Sequence, residues 1–224
     1  TEANMFNEIF WNSPLSLDDQ AEKTSRTVMH YLKPNGAVLF IEPGIPLAGE
    51  FLSLLRTEFL AAGFSISAPC PHHGTCCFSN RVLQTGTAKT PVAFHKWCHF
   101  TFETHDSPEN LLRLSEASHL GKERASLSFL YGTLSLSAIS SGTAQRGAFD
   151  GIPVRICSDI IKPDPHTIGR YACSEKGFML ITGHAYKESV LNTAVSGALL
   201  ILPEESVKLN QRDKKTHALL VEVL

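Results

Sequence analysis

Long apolar runs and a strong net charge are both absent from this sequence. The longest apolar candidate, Ala198 to Leu202, is far shorter than the ~18 residues of a membrane span and predicts a buried strand. The formal net charge is −2 and the sequence pI is about 6.5. No global basic field therefore draws the chain to nucleic acid, and any RNA contact must come from a local patch. We expect neither a membrane nor DNA as a partner.

Signature motifs of several enzyme classes are missing as well. The chain has no G-x-S-x-G, no P-loop and no H-E-x-x-H, so hydrolase and nucleotidase functions have no support. No Gly-rich G-x-G-x-G loop follows a predicted strand, and no signal peptide is visible. The chain begins at Thr1 rather than at Met, which is typical of a fragment or of a chain whose first part was removed.

The composition that remains is that of a globular α/β protein. Apolar residues make up 43% of the 224 residues, enough for one large domain or two small ones. Capping and turn residues predict helices over 16–32 and 47–62. Short apolar runs predict strands at 37–41 and 64–68. The first of these runs is continuous, which is typical of a strand buried on both faces of a parallel sheet.

After residue 68 the sequence becomes β-rich. Alternating apolar residues predict strands over 94–104, 127–139 and 154–161, with a helix over 108–119. Ser174–Gly177 predicts the turn of a hairpin whose strands lie at 169–173 and 178–182. We therefore divide the chain into an α/β part, a cysteine-containing β-rich region and a mixed C-terminal segment, over residues 1–68, 69–183 and 184–224.

The cysteines are the most informative residues. Six cysteines in 224 residues are too sparse for a secreted disulfide scaffold, and their clustering beside His and Pro indicates a metal in a reducing compartment. Cys70 and Cys76 flank an irregular loop, Cys98 follows, and Cys173 lies at the predicted hairpin turn. Four thiolates suit tetrahedral zinc or a [4Fe-4S] cluster, although the spacing is not that of a zinc ribbon. The alternative is that these cysteines are buried apolar residues.

Several motifs resemble one known family. They are Glu-Pro-Gly-Ile-Pro (42–46), Ala-Pro-Cys-Pro-His (68–72), Trp-Cys-His-Phe (97–100) and Tyr-Ala-Cys-Ser-Glu-Lys-Gly (171–177). In order and spacing they resemble the methyltransferase-like family of small-subunit mitochondrial ribosome assembly proteins and its bacterial relatives. Leu-Lys-Pro-Asn-Gly (32–36) before a buried strand also resembles the second half of a class I methyltransferase. The resemblance extends over about residues 4–183.

The resemblance implies a fold and a site. The fold would be the C-terminal part of a class I (Rossmann-like) methyltransferase followed by a β-rich, metal-cluster-bearing extension. The ligands of a [4Fe-4S] cluster would be Cys70, Cys76, Cys98 and Cys173, with zinc as the alternative. The protein would act on the small ribosomal subunit through rRNA binding and assembly, with rRNA methylation left open. S-adenosylmethionine would bind only if an upstream half supplies its Gly-rich loop.

Residues around these cysteines have expected roles too. Cys77 stands where the family usually has Pro, so it is a spare thiol beside the site, and exchange with Cys76 as ligand stays open. We expect Cys157 to be a core residue. His72 and His99 would contact the ligands or RNA, while Trp97 and Phe100 would shield the cluster from solvent.

The candidates for catalysis and binding are weaker. The resemblance implies that Asn7 and Glu8 hold a target base. Glu42 either faces a cofactor or caps the next helix, and Arg56 is expected to be a surface charge rather than an RNA contact. A local phosphate-binding face would draw on scattered basic residues, namely Lys96, His99, Arg113, Lys122, Arg124, Arg146, Arg155, Lys162 and Arg170.

Two further functions stay open beside an S-adenosylmethionine-dependent rRNA methyltransferase. One is a non-catalytic ribosome assembly factor, to which the missing Gly-rich loop points, although truncation of the chain explains that absence equally well. The other is a zinc-stabilised RNA-binding module. The expected location is a bacterial cytoplasm, with the mitochondrial matrix as the alternative.

Overall fold

A computed structural model describes residues 1–6, 8, 13–79, 96–119, 123–134, 150–185 and 189–223. Within these ranges the chain forms two β-sheets with helices packed mainly on the first. The helices are α1 (Leu17–Tyr31), α2 (Pro46–Ala61), α3 (Glu109–Ala117) and the single turn α4 (Val190–Thr193). A 3-10 turn spans Glu204–Ser206. In the described ranges, no helix is long and apolar enough to cross a membrane. The predicted α/β class is confirmed at this level.

The first sheet contains, among the described residues, five strands. They are β1 (Glu2–Ala3), β2 (Ala37–Pro43), β3 (Phe64–Ala68), β4 (Phe100–Glu103) and β5 (Arg124–Leu134). The order is β1-β2-β5-β3, with β4 also paired to β5. β1 and β2 are parallel, whereas β5 is antiparallel to β2, β3 and β4.

The prediction of a parallel sheet around β2 therefore holds for β1 and is wrong for β5. Apolar content reports how deeply a strand is buried, and it carries no information on the direction of the neighbouring strand. Burial alternates along β2, with Val38, Phe40 and Glu42 buried and the residues between them less so. One face of the strand packs on the core and the other is partly open.

Local sequence explains both long helices. Ser16 caps α1 by accepting a hydrogen bond from the Asp19 backbone N–H at 3.1 Å, as predicted. Pro46 begins α2, where its missing N–H costs nothing, and Gly63 follows the helix with a φ of 89°. The buried side of α2 includes Phe51, Leu55 and Phe59. It packs a layer of aromatic rings against β2 and β3.

The second sheet contains, in the described part of the chain, seven strands. They are β6 (Ile152–Ile156), β7 (Ile161–Asp164), β8 (Thr167–Ser174), β9 (Gly177–His184), β10 (Leu199–Leu202), β11 (Val207–Arg212) and β12 (Leu219–Glu222). The order is β10-β6-β8-β9-β12-β11, with β7 on β8, and only the β9–β12 pair is parallel. The predicted hairpin is β8–β9, and its turn uses Gly177 with a φ of 112°.

Several predicted strands have different bounds in the structure. The strand predicted over 154–161 ends at Ile156, so Cys157 lies just beyond it. The strand predicted over 94–104 begins at Phe100, and residues 80–95 and 135–149 lie outside the described ranges. The predicted boundaries at residues 68 and 183 stay predictions. The structure places β4 and β5 in the first sheet with β1 to β3.

The packing of the aromatic layer predicts a large loss of stability when Phe59 is truncated. Phe59 is fully buried, with its ring centroid 5.8 Å from Phe40 and 4.6 Å from Phe64. We expect Phe59→Ala to lower the free energy of unfolding by about 3–5 kcal/mol, because a large cavity opens in a rigid core. Urea unfolding measures this, with Tyr31→Ala as control since Tyr31 is 80% exposed. A similar loss for both variants would contradict the placement of this core.

Candidate metal centre

A buried arginine holds the first cysteine loop. Arg56 on α2 is 2% exposed, and its Nε donates to Cys70 Sγ at 3.0 Å. Its Nη2 donates to the backbone oxygens of His72 and Gly74, both at 2.8 Å. The predicted surface position of Arg56 is therefore wrong. The planar guanidinium gathers three acceptors of the loop that follows β3, and a single point charge such as Lys could not hold all three in this way.

Cys98 is positioned from α2 and β5. Ser128 Oγ donates to the Cys98 backbone oxygen at 2.7 Å, and Trp97 Nε1 donates to the Gly44 oxygen at 2.9 Å. Gly49 on α2 permits this approach, because a Cβ there would lie 2.8 Å from Trp97 Cδ1 and 3.1 Å from the Cys98 oxygen. Trp97 stacks on His99 with 4.8 Å between ring centroids. The predicted contact of His99 with RNA stays a prediction.

The second sheet supplies two more thiols. Cys173 lies on β8 and is 7% exposed, and Cys157 follows β6, the neighbouring strand. His72 Nε2 lies 3.5 Å from Cys173 Sγ, so a histidine of the first cysteine loop contacts a thiol of the second sheet. Among the described residues, Nδ1 of the same histidine is buried without a hydrogen-bond partner. Arg155 adds a second tie between the sheets, with its Nε donating to the Pro69 oxygen at 2.7 Å.

Five cysteines, all within the described ranges, line one cavity of about 20 Å³. Four are the predicted ligands Cys70, Cys76, Cys98 and Cys173, and the fifth is Cys157. Cys77 packs against Cys76 and Cys173 without lining the cavity. Phe100 lines the cavity as well and is 5% exposed. The structure thus brings together thiols that are up to 103 residues apart in the chain, from Cys70 to Cys173.

The arrangement of donors differs from that of a single-ion site. In the described part of the chain, no group of three or more His, Cys, Asp or Glu side chains is arranged to hold one metal ion. The donor set is nevertheless one that suits a cluster, because iron–sulfur clusters take thiolates and their own atoms fill the space between the ligands. A cavity of about 20 Å³ has room for little more than a water, so the thiols would have to separate to take a cluster.

Burial opposes ionisation of most of these thiols. It raises the pKa of Cys70 to about 12 and raises that of Cys76 and Cys98 as well, while Arg56 lowers the first. Cys173 differs, because a hydrogen bond with Cys77, helped by His72, lowers its pKa to about 5 against the effect of burial. The metal-free site therefore holds mostly neutral thiols, which must lose protons when a metal binds.

The predicted catalytic candidates are separate from the cysteines. Asn7 lies outside the described residues, and Glu8 is exposed. Glu42 is 1% exposed and its Oε1 accepts from the backbone N–H groups of Met5 and Phe6 at 3.1 and 3.2 Å. Ile45 is the N-cap residue of α2, and within the described residues Glu42 bonds the backbone after β1 instead, so its predicted capping role is wrong. Its contact with a cofactor, and the roles of Asn7 and Glu8, stay predictions.

Three arginines of the expected phosphate-binding face have internal partners instead. Arg155 is tied to Pro69 and also donates to the Gly197 oxygen, and Arg170 Nε donates to the Leu191 oxygen at 2.7 Å. Arg124 pairs with Asp159 through both nitrogens of its guanidinium fork.

Of the other basic residues of the expected face, Lys122 and Arg146 lie outside the described residues. Lys96 is exposed and sits 4.6 Å above the Tyr171 ring.

Together, fold and site define a mixed α/β protein in which two sheets meet at a buried group of cysteines. A family model described as mitochondrial small ribosomal subunit Rsm22 matches residues 15–131, which are 117 of the 224 residues. The chain belongs to the Rsm22 family. The match confirms the predicted likeness to a small-subunit family, covers Cys70, Cys76 and Cys98, and ends before Cys173. No curated protein sequence matches the chain.

Sequence reasoning missed three residues of this site. The sequence predicts a surface position for Arg56, because periodicity does not distinguish a charge that faces a loop from one that faces water. Gly49 carries no signal, since a glycine inside a helical pattern is common. The sequence predicts a core position for Cys157, and only the pairing of β6 with β8 places it beside Cys173.

The contacts of Arg56 predict its contribution to stability. We expect Arg56→Ala to lower the free energy of unfolding by about 2–5 kcal/mol, because the backbone oxygens of His72 and Gly74 lose a charged donor in a buried site. Arg26→Ala is the matched control, since its side chain is 74% exposed and pairs with Glu22 on the same helix. It should cost less than about 0.5 kcal/mol. Equal losses in urea unfolding would contradict the role of Arg56.

Proposed function

We propose that this chain is a methyltransferase-like protein that acts on the mitochondrial small ribosomal subunit and carries a [4Fe-4S] cluster on Cys70, Cys76, Cys98 and Cys173. The observation that carries the proposal is the cavity between the two sheets, where these four cysteines meet. The family supplies the ribosomal part of the proposal, because its description names the mitochondrial small ribosomal subunit. The mitochondrial matrix is accordingly the proposed location.

The topology of the first sheet supports the methyltransferase-like part. β2 and β3 run in the same direction, α2 connects them, and antiparallel β5 lies between them. β1 is parallel to β2 on the other side. The second half of a class I methyltransferase sheet has this arrangement, with one antiparallel strand inserted between parallel ones. Glu42, at the end of β2, holds the backbone that follows β1 at the edge where open α/β sheets bind ligands.

The cysteine site supports the cluster. Thiolates from the loop after β3, from the approach to β4 and from β8 would surround the group, and the positive charge of Arg56 lies against the sulfur of Cys70. Hydrogen bonds and nearby charge of this kind tune the potential of iron–sulfur clusters. When bound, the cluster would supply a redox-active cross-link between the two sheets. Phe100 and Phe78 at the cavity wall limit the access of water.

Methyl transfer by this protein is a separate and more specific part of the proposal. S-adenosylmethionine needs a Gly-rich loop, and the sequence contains none after a strand. The family description therefore supports the small-subunit part of the proposal more directly than it supports methyl transfer. A non-catalytic assembly factor that keeps the methyltransferase fold is the second candidate, and a binding assay with S-adenosylmethionine distinguishes the two.

Metal analysis of protein purified without oxygen tests the cluster. We expect iron and acid-labile sulfide in equal amounts and a brown colour with absorbance near about 400 nm. Cys76→Ser should lose most of both, because Cys76 is a proposed ligand at the cavity wall. Cys77→Ser is the matched control, since Cys77 lies next in the chain but off the cavity wall, and it should keep them. A colourless wild-type protein that contains stoichiometric zinc would support the zinc-stabilised module instead.

Sedimentation with ribosomal subunits tests the partner. We expect the metal-loaded chain to sediment with mitochondrial small subunits, and not with large subunits. The Cys76→Ser variant should sediment less, because the two sheets lose their cross-link and with it a fixed shared surface. Equal sedimentation with both subunits, or with neither, would contradict the proposed partner.

A further inference from the structure

Cys157 belongs to the wall of the cysteine cavity, although no motif of the sequence assigns it there. It follows β6 directly, and its backbone N–H donates to the Tyr171 oxygen on β8 at 2.8 Å. This contact keeps Cys157 in register with the strand that carries Cys173. Its position is therefore set by the second sheet and does not depend on the cysteine loop.

The contacts of the Cys157 side chain place its sulfur at the wall of the cysteine cavity. The thiol donates to the Arg155 oxygen at 3.1 Å, and the side chain packs against the buried group that contains Cys76 and Cys173. Cys157 therefore lies beside two of the proposed ligands, and one hydrogen bond holds its sulfur.

Cys98 is the ligand that Cys157 can best replace. Both cysteines line the same cavity, and the segments that follow them are in contact. Thr101, three residues after Cys98, donates through Oγ1 to Asp159 Oδ1, two residues after Cys157, at 3.1 Å. They approach the cavity from different sheets, Cys98 before β4 and Cys157 after β6.

His72 gives a second indication, at the same cavity wall, that the site takes a bound group. His72 lines the cavity, is 3% exposed, and has a buried Nδ1 that finds no partner among the described residues. Buried polar atoms in native proteins are normally paired. The wall that carries the five thiols thus also carries a polar atom that still needs a partner.

We propose that Cys157 is a reserve ligand of the metal site, which replaces Cys98 when that thiol is absent. The inference rests on the proposed cluster. In a chain without Cys98, one iron keeps an open position. The Cys157 thiol gives up its hydrogen bond to the Arg155 oxygen, releases its proton to solvent, and forms one iron–sulfur bond as a thiolate. No electron is transferred, and the site again has four thiolates.

Single and double substitutions test this in the full chain, with iron and sulfide content and absorbance near about 400 nm as readouts. Cys157→Ala alone should keep the wild-type iron content, because the four main ligands remain. Cys98→Ala should keep at least about half of it. Cys98→Ala/Cys157→Ala should fall by more than about tenfold, because only three thiols are left on the cavity wall. Cys98→Ala/Cys77→Ser is the matched control and should resemble Cys98→Ala, because the serine hydroxyl can still donate a hydrogen bond to Cys173.

Any of the following results would overturn the inference. If Cys98→Ala alone loses the iron, Cys157 does not replace it. If both double variants keep the iron, three ligands suffice, and if Cys157→Ala loses it, Cys157 is a permanent ligand. A wild-type protein without iron overturns the proposed cluster and the inference together, and is thereby distinguished from the first three results. Circular dichroism checks folding, and Cys98→Ser replaces Cys98→Ala throughout the set if the alanine variant is unfolded.

Discussion

The buried guanidinium of Arg56 determines where the first cysteine loop lies. An arginine at 2% exposure is stable only if its donors are paired, and here they pair with a cysteine sulfur and two backbone oxygens of the same loop. The loop is therefore fixed to α2, which is itself fixed to the first sheet by its aromatic face. The other half of the site depends on the second sheet, whose β6 and β8 place Cys157 and Cys173 opposite this loop.

Arginine side chains, as well as the cysteines, connect the two sheets. Arg155 reaches from β6 to Pro69, and Arg124 on β5 pairs with Asp159 beyond β6. These arginines would have been counted as a nucleic-acid surface from sequence alone. In the structure Arg155 ties β6 to the start of the cysteine loop, whereas Arg124 forms an exposed ion pair with Asp159.

The sequence predicted local structure better than it predicted neighbours. The Ser16 cap and the Gly177 turn follow from residue-by-residue stereochemistry, and both are present. The antiparallel partner of β2 could not be predicted, because β5 lies more than 80 residues further along the chain and apolar patterns do not encode pairing. Cys70, Cys76, Cys98 and Cys173 were chosen from motifs, whereas Cys157 and Arg56 required the three-dimensional arrangement, since their roles depend on contacts between elements.

X-ray absorption at the metal edges of anaerobically purified protein tests the central claim most directly. The account predicts iron whose first shell contains sulfur alone, with further iron atoms in the second shell, as four cysteines around a [4Fe-4S] cluster require. Zinc with four sulfur ligands at about 2.3 Å and no neighbouring metal would contradict it, and would leave the cysteines of the two sheets as a structural zinc site.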